Sequence, residues 1–231
     1  MGANRFDFKQ FAVRQERCAM KVGTDATLLG AWARVPAAYA HQPTILDIGT
    51  GTGIIALMMA QRFPEATLTA IDIEPDAAAQ AADNAAASPY TGRINVACIP
   101  VQQYDGGPFA AIVCNPPYFA GSLHSPDRKR TLCRHTASLT YTELASHAYR
   151  LLRADGEFSV IIPISQASMM DEARALAGFF EVRRCLVRTK PEAQPKRMML
   201  AYAKAPQPAH ETEELTLGDA RHKMMTADFY L

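Results

Sequence analysis

A short apolar strand that ends in two prolines carries the side chains best suited to chemistry. Residues 110–114 are apolar and partly β-branched, which predicts a buried strand. Pro116 and Pro117 end it, because proline cannot donate a ladder hydrogen bond, and Pro116 keeps Asn115 out of the helical region. Asn115 is therefore expected at the carboxyl end of a strand, where open α/β sheets bind their ligands.

The residues of this turn suit the recognition of a planar amine. The side-chain oxygen of Asn115 and the main-chain carbonyl of Pro116 can each accept one N–H, while the ring of Tyr118 stacks on a flat base. Both acceptors would return electron density to an amine nitrogen whose lone pair is delocalised into a ring. Because an Asn-Pro turn alone is a common structural feature, the interpretation depends on the Pro-Pro-Tyr continuation and on a glycine loop upstream.

That loop joins a predicted strand at residues 44–48 to a predicted helix at residues 54–63. Its glycines have the spacing G-x-G-x-G: Gly49, Gly51 and Gly53. A dinucleotide fingerprint would need glycine where Ile54 stands, and no Gly-Lys-Ser/Thr follows as in a P-loop. Asp47 precedes the loop, and a carboxylate there repels a phosphate but attracts an ammonium group. The pattern therefore favours S-adenosylmethionine, which carries an ammonium and a sulfonium and no phosphate.

A second acid is placed for a ribose. Residues 66–73 predict the next strand, and Asp72 lies about 20 residues after the glycine turn, where a ribose-binding acid is expected. A third strand is predicted at residues 95–99. Val101 and Gln102 follow this strand, either flanking an adenine ring or forming a plain surface loop.

The remaining pattern completes an α/β fold. Further helices are predicted at residues 25–34, 75–87, 142–152 and 168–180, a strand at 157–162, and a closing antiparallel pair at 181–188 and 198–203. Thr24 or Asp25 is expected to cap the first helix. This alternation predicts one domain with a doubly wound, mostly parallel sheet and an antiparallel closing strand. We expect an N-terminal arm and cap helix at 1–34, the core at 35–204, and a C-terminal tail packed on the core at 205–231.

Composition limits the class of protein. The 231 residues are 48% hydrophobic, which is enough for one large core. The net charge of +1 indicates no particular class of binding partner. The five cysteines are scattered without C-x-x-C spacing, so we expect buried free thiols, no disulfide framework and no metal. Because no apolar run is long enough to span a bilayer, we expect a cytoplasmic protein without membrane contact.

Two basic stretches could contact phosphate groups, although a charge run is usually a solvated surface. The first follows the proline turn, in the predicted loop at 121–134: Arg128, Lys129, Arg130 and Arg134. The second lies between residues 183 and 204, with one acid: Arg183, Arg184, Arg188, Lys190, Lys196, Arg197 and Lys204. Within the second stretch, the RNA-binding candidates are Lys190, Lys196 and Arg197.

Three stretches of the chain resemble the bacterial tRNA-valine adenine-N6 methyltransferase family, which belongs to the class I S-adenosylmethionine-dependent methyltransferases. They are residues 8–32, where residues 18–25 read Cys-Ala-Met-Lys-Val-Gly-Thr-Asp, residues 46–53, and residues 115–119. The glycine motif is common to class I, and Asn-Pro-Pro-Tyr is shared by enzymes acting on adenine, cytosine and a protein glutamine amide. Only Lys-Val-Gly-Thr-Asp narrows the resemblance to the tRNA family. One departure is Ala110, where family members commonly have aspartate.

The resemblance implies a Rossmann-like methyltransferase fold that converts S-adenosyl-L-methionine to S-adenosyl-L-homocysteine. It implies an adenine beside the anticodon of a valine tRNA as substrate, and a monomer with no obligate protein partner. The implied catalytic residues are Asn115, Pro116, Pro117 and Tyr118. The implied cofactor-binding residues are Lys21, Thr24, Asp25, Asp47, Gly49, Thr50, Gly51, Gly53, Asp72, Ile73, Val101, Gln102 and Asn115.

Four other functions stay open from the sequence. A protein-glutamine N-methyltransferase would present the same NH₂ group to the turn, and an rRNA base methyltransferase would use the same chemistry. A nicotinamide-dependent oxidoreductase is disfavoured by Ile54, and a non-catalytic RNA-binding module by the intact set of amine acceptors.

Overall fold

The computed structural model describes residues 4–39, 41–117 and 139–230. The strands are β1 (Arg5–Asp7), β2 (Ala12–Arg14), β3 (Thr44–Ile48), β4 (Thr67–Asp72), β5 (Ile94–Cys98), β6 (Phe109–Cys114), β7 (Leu152–Pro163), β8 (Phe180–Arg188), β9 (Arg197–Ala203) and β10 (Glu211–Thr216). The helices are α1 (Thr24–Trp32), α2 (Ile54–Arg62), α3 (Pro75–Ala86), α4 (Tyr141–Leu151), α5 (Ala167–Ala177) and α6 (Ala220–Thr226). Short 3₁₀ turns lie at Ala37–Tyr39, Val101–Gln103 and Ile164–Gln166. Within these ranges, no helix is long and apolar enough to cross a lipid bilayer.

An eight-stranded sheet forms the centre of the molecule, in the order β10-β8-β9-β7-β6-β3-β4-β5. β3 to β7 pair in parallel, and β9 runs antiparallel to both of its neighbours, β7 and β8. The chain places β4 and β5 on one side of β3 and then returns to place β6 on the other. The predicted doubly wound sheet with an antiparallel closing strand is confirmed, and its order reverses between β3 and β6.

Both faces of the sheet are covered, so successive residues of a central strand enter different cores. Ile45 and Val113 pack in the core that α1 and α2 cover. Leu46 and Ile112 pack in the core that α4 and α5 cover. This double burial explains why β3 and β6 are almost wholly apolar in sequence.

The structure corrects the predicted start of the first helix. Gly23, in an extended conformation, is the N-cap of α1, and no side chain caps the helix. Thr24 already lies inside α1, while the Asp25 carboxylate accepts a hydrogen bond from Arg197 Nε at 2.9 Å. A distant arginine therefore takes the carboxylate that the local pattern assigned to capping.

The C-terminal segment contains a strand and a helix that the sequence did not predict. β10 pairs in parallel with β8 at the edge of the sheet, and Leu215 is its buried residue. The hydrophobic pattern did not predict this strand because most of its side chains are polar. They form ion pairs with arginines elsewhere in the chain. Arg188 pairs with Glu214, and Arg34 with Glu211.

The described cysteines are all free. Cys18, Cys114 and Cys185 are buried as expected. Cys98 is exposed, contrary to that expectation, because it ends β5, the outermost strand on its side. Cys133 lies outside the described residues.

A buried arginine joins four elements behind the sheet. Arg183 on β8 is 2% exposed, and its Nη2 donates to Glu157 Oε1 on β7 at 2.8 Å. Its guanidinium carbon lies 3.5 Å from the ring centroid of Trp32 at the end of α1. Trp32 Nε1 in turn donates to Glu213 on β10 at 2.8 Å. The edge strand is thus tied to α1 and to the sheet through one buried cation.

Replacing Glu157 with alanine should lower the free energy of unfolding by about 3–5 kcal/mol, because it leaves the buried Arg183 cation unpaired. Glu214→Ala is the matched control, since the Glu214 side chain is 60% exposed and also pairs with an arginine of β8. Its loss should cost less than about 1 kcal/mol. Urea unfolding measures both values, and equal losses would contradict the importance of burial.

Candidate active site

Strand register brings three of the predicted site residues into one row. Ile48 at the end of β3 pairs with Cys114 on β6 and with Ile71 on β4. The residues that follow these three are Gly49, Asn115 and Asp72. Neighbouring strands lie about 4.8 Å apart, so the proline turn and the second acid flank the first glycine of the loop. The row stands at the carboxyl edge of the sheet, at the point where the strand order reverses.

The glycine loop has a backbone that leaves space for a ligand. Gly49, Gly51 and Gly53 have φ values of +70°, +55° and +82°, which disfavour any residue with a side chain. A Cβ atom added at Gly49 or Gly51 would meet nothing within 4 Å. At Gly53 it would meet Ala81 of α3 at 3.3 Å. The first two glycines therefore border open space, and the third allows α3 to pack closely.

Asp72 holds this loop from the neighbouring strand. Its Oδ2 accepts a hydrogen bond from Gly51 N at 2.8 Å, and its Oδ1 accepts one from Glu74 N at 3.0 Å. Each carboxylate oxygen keeps a further lone pair for a hydroxyl donor. The acid predicted to bind a ribose thus also fixes the glycine turn.

Asp47 has one oxygen engaged and one unpaired. Its Oδ2 accepts hydrogen bonds from Thr50 Oγ1 at 2.6 Å and from Ala56 N, in the first turn of α2, at 3.2 Å. Its Oδ1 is buried and has no hydrogen-bond partner among the described residues. Burial raises the pKa of Asp47 from its ordinary 3.8 to about 7, against the two hydrogen bonds, which favour the charged form. A cationic group near Oδ1 would compensate for this burial.

Asn115 presents a second unpaired oxygen. The residue is half-buried, and its Oδ1 is enclosed without a hydrogen-bond partner among the described residues. Such a buried acceptor costs about 1–3 kcal/mol until a donor reaches it. Pro116 is buried and Pro117 is exposed, while Tyr118 lies outside the described residues. The turn therefore offers an acceptor suited to an N–H of a bound molecule.

The residues expected around an adenine differ in exposure. Ile73, directly after Asp72, is 47% exposed and gives an apolar surface at the carboxyl edge. Val101 is buried in the 3₁₀ turn after β5, and Gln102 is exposed. Ile73 and Gln102 are therefore accessible to a ligand, whereas Val101 supports the turn from inside.

Of the three predicted cofactor residues of the arm and α1, two have other partners and the third is exposed. Lys21 Nζ donates to Gln15 O at 2.9 Å, Asp25 pairs with Arg197, and Thr24 is exposed. None of the three hydrogen-bonds to the glycine loop within the part of the chain that the structure describes. The arm nevertheless passes close to the glycine loop, because Asn84 Nδ2 donates to both Arg14 O in the arm and Thr52 O in the loop.

In the second basic stretch, fewer side chains are available to contact phosphate groups than the sequence predicts. Ion pairs engage its arginines: Arg183 with Glu157, Arg184 with Glu181, Arg188 with Glu214, and Arg197 with Asp25. Lys204 Nζ donates to Leu152 O at 2.6 Å, at the opposite edge of the sheet. Lys190 and Lys196 remain exposed in the turn between β8 and β9, at the carboxyl edge. The first stretch, Arg128, Lys129, Arg130 and Arg134, lies outside the described residues.

The sequence analysis missed two buried amides on α3. Gln80 and Asn84 are 1% and 2% exposed, and both hydrogen-bond to the main chain of the N-terminal arm. Their signal in the sequence was a pair of polar residues four apart on an alanine-rich helix, which places them on one face.

Comparisons with known proteins agree with this geometry. The methyltransferase small domain family matches residues 32–190. A protein of Bacteroides thetaiotaomicron named tRNA1(Val) (adenine(37)-N6)-methyltransferase is 43% identical over 234 residues, which cover 98% of this chain and 97% of that one. A protein of the same name from Tolumonas auensis is 37% identical, covering 100% of this chain and 98% of the other.

Solved structures of lower identity share the fold. A predicted O-methyltransferase from Agrobacterium tumefaciens has a TM-score of 0.65 at 19% identity and covers 90% of this chain and 98% of its own. TrmN from Thermus thermophilus has a TM-score of 0.53 at 19% identity, covering 71% of this chain and 45% of its own. The identity and nearly complete coverage of the relatives show that this chain belongs to the tRNA1(Val) (adenine(37)-N6)-methyltransferase family.

Proposed function

We propose that this protein transfers a methyl group from S-adenosyl-L-methionine to the exocyclic N6 amine of an adenine in tRNA. The adenine is the one beside the anticodon of a valine tRNA, and the relatives are named for adenine 37 of tRNA1(Val). The observation that carries the proposal is the position of Asn115 and Asp72 on either side of Gly49. Donor and acceptor sites on adjacent strands are close enough for direct transfer of one carbon.

The residues at the carboxyl edge fit S-adenosyl-L-methionine. The unpaired Oδ1 of Asp47 suits its ammonium group, and the open space over Gly49 and Gly51 suits the close approach of a ligand to the backbone. Asp72 has free lone pairs for the ribose hydroxyls, and Ile73 has exposed apolar surface for the adenine. When bound, this cofactor supplies an electrophilic methyl group on its sulfonium.

Asn115 and Pro116 orient the amine that accepts the methyl group. The Asn115 Oδ1 and the Pro116 carbonyl each accept one N–H, so the nitrogen lone pair points away from both acceptors. The two prolines keep this geometry rigid, and Tyr118 stacks on the base, which must leave its loop to reach the turn. Catalysis is then mainly orientation. No strong base is required, because the methylated ammonium is acidic and readily loses its proton.

The RNA backbone is proposed to contact the same edge of the sheet. Lys190 and Lys196 are exposed in the β8–β9 turn, which lies beyond the carboxyl end of β8. Arg197 is a weaker candidate, because Asp25 already neutralises it. For the first basic stretch, at residues 128–134, a role in RNA binding is supported by the sequence alone.

We also propose a cytoplasmic monomer that needs no metal and no obligate protein partner. Its arm at residues 1–34, core at 35–204 and tail at 205–231 would work as one unit. Contacts between arm and tail support such a unit: Lys9 N donates to Phe229 O at 2.8 Å, and Phe8 stacks on Tyr230.

Asn115→Ala should lower the rate of tRNA methylation by at least about 100-fold, because the amine loses one of the two groups that orient it. The dissociation constant for S-adenosyl-L-methionine should stay within about threefold of wild type. Transfer of a labelled methyl group to purified tRNA measures the rate, and calorimetry measures cofactor binding. Asn95→Ala, at an exposed asparagine of β5, is the matched control and should methylate normally. Wild-type turnover by Asn115→Ala would refute the proposed mechanism.

Asp47 should give the stability of the protein a characteristic pH dependence. Between about pH 4 and pH 7 the folded protein holds a proton on Asp47 that the unfolded chain has lost, because the folded pKa is raised. The free energy of unfolding should therefore fall as pH rises through this range, by up to about 1.4 kcal/mol per pH unit from this group. Urea unfolding of wild type and Asp47→Asn tests this. The stability of the variant relative to wild type should increase with pH, and a constant difference would contradict the raised pKa.

The double change Lys190→Gln and Lys196→Gln should raise the KM for tRNA several-fold. It should also reduce the slope of log affinity against log salt by roughly 1–2 units, since two phosphate contacts are lost. The KM for the cofactor should not change. Arg153→Gln with Lys204→Gln removes the same charge at the opposite edge of the sheet and serves as control. If both double variants weaken tRNA binding equally, the edge of the sheet is not the RNA surface.

A further inference from the structure

We propose that Asn84 is a positioning residue that fixes the N-terminal arm to the glycine loop and so prepares the cofactor site. Asn84 lies on α3, outside the row of residues that would touch ligands. The inference rests on the proposed function, because it concerns the binding of the same methyl donor.

Asn84 connects two main-chain segments with three hydrogen bonds. Its Nδ2 donates to Thr52 O in the glycine loop at 2.8 Å and to Arg14 O in the arm at 2.8 Å. Its Oδ1 accepts from Arg14 N at 2.9 Å. Both amide hydrogens and one oxygen lone pair are therefore committed, and none of these bonds is to another side chain. Burial of this amide is stable only because its partners are all present.

The neighbouring turn of α3 binds the arm but not the glycine loop. Gln80 Oε1 accepts a hydrogen bond from Arg17 N at 3.3 Å, and the Arg17 guanidinium pairs with Asp83. Gln80 and Asn84 are one helical turn apart, so they present their amides side by side. Gln80 and Asn84 therefore both bind the arm through a buried amide, but of these two residues only Asn84 also binds the glycine loop.

The segment of the arm that follows these contacts is folded by hydrogen bonds of its own. Gln15 O accepts from Lys21 Nζ at 2.9 Å, and Gln15 Oε1 accepts from Val22 N at 2.8 Å. Cys18 within this segment is buried. Asn84 joins the arm to the glycine loop, so the positions of both depend on its amide.

Without that amide, the carbonyl of Thr52 and both main-chain groups of Arg14 lose their partner. The loop and the arm would then be ordered only when the ligand binds, which weakens affinity without changing the groups that act on the amine. Asn84 should consequently affect the dissociation constant and the KM for S-adenosyl-L-methionine. It should leave kcat at saturating cofactor within about threefold of wild type.

The test compares Asn84→Ala with Gln80→Ala in the full-length protein. The first variant should raise the dissociation constant for S-adenosyl-L-methionine by about 10-fold or more, as expected for buried main-chain groups left unpaired. Gln80→Ala keeps the bond to Thr52 and should raise it by less than about threefold. Thermal unfolding of both variants shows whether an unequal loss of stability accounts for the difference in affinity.

Asn84→Asp removes the donor of the amide and keeps its acceptor. It still accepts from Arg14 N but places a carboxylate oxygen against the carbonyls of Thr52 and Arg14, so cofactor binding should weaken at least as much as in Asn84→Ala. If Asn84→Ala does not fold, this variant is judged by the same threshold. Trypsin cleavage of the arm at Arg14, Arg17 and Lys21 gives a second readout. S-adenosyl-L-methionine should protect these sites in wild type and Gln80→Ala, and should protect them less when Asn84 is changed.

The outcomes distinguish this inference from the proposed function. A wild-type protein that binds no S-adenosyl-L-methionine would refute the function and the inference with it. A wild type that binds normally, with Asn84 variants within threefold of it, would refute the inference alone. Equal weakening by Asn84→Ala and Gln80→Ala would also refute it, because the bond to the glycine loop would then have no separate effect.

Discussion

The pairing of β3 with β4 on one side and with β6 on the other is the constraint on which the whole site depends. It aligns Gly49, Asn115 and Asp72 across three strands, so that the glycine loop, the proline turn and the second acid meet at one edge. Burial on both faces fixes this alignment, because a one-residue slip of β6 would move Ile112 into the opposite core. The hydrophobic effect that builds the sheet therefore also sets how close the glycine loop lies to the proline turn.

Two carboxylates at this edge hold the glycine loop and the start of α2. Asp47 holds Thr50 and the start of α2 with one oxygen, and Asp72 holds the main chain of Gly51. Two other oxygens at this edge hold nothing. Asp47 Oδ1 and Asn115 Oδ1 are each buried without a hydrogen-bond partner within the described part of the chain. Leaving them so costs about 1–3 kcal/mol apiece, a cost that ligand donors can remove.

Sequence patterns predicted those strands and turns whose ends are fixed by residues close by in the chain. The strand Thr44–Ile48 has its predicted bounds, because apolar residues and the glycine turn fix both ends, and the proline turn ends β6 as expected. Most of the failures involve partners far apart in sequence. Arg197 takes the Asp25 carboxylate, and ion pairs with arginines stabilise the polar strand β10. Asn84 escaped notice because Arg14 and Thr52, its partners, lie 70 and 32 residues away. The role of Tyr118 remains a prediction from sequence.

A structure of the protein with S-adenosyl-L-homocysteine and an adenine-containing fragment of valine tRNA would test the central claim most directly. The account predicts that the adenine N6 atom lies within hydrogen-bond distance of Asn115 Oδ1 and of the Pro116 carbonyl. It also predicts that N6 faces the cofactor sulfur over the gap that one methyl group spans, with the reacting atoms about 3–3.5 Å apart once the methyl is present. Sulfur and amine found in separate cavities, with β3 or its loop between them, would contradict it.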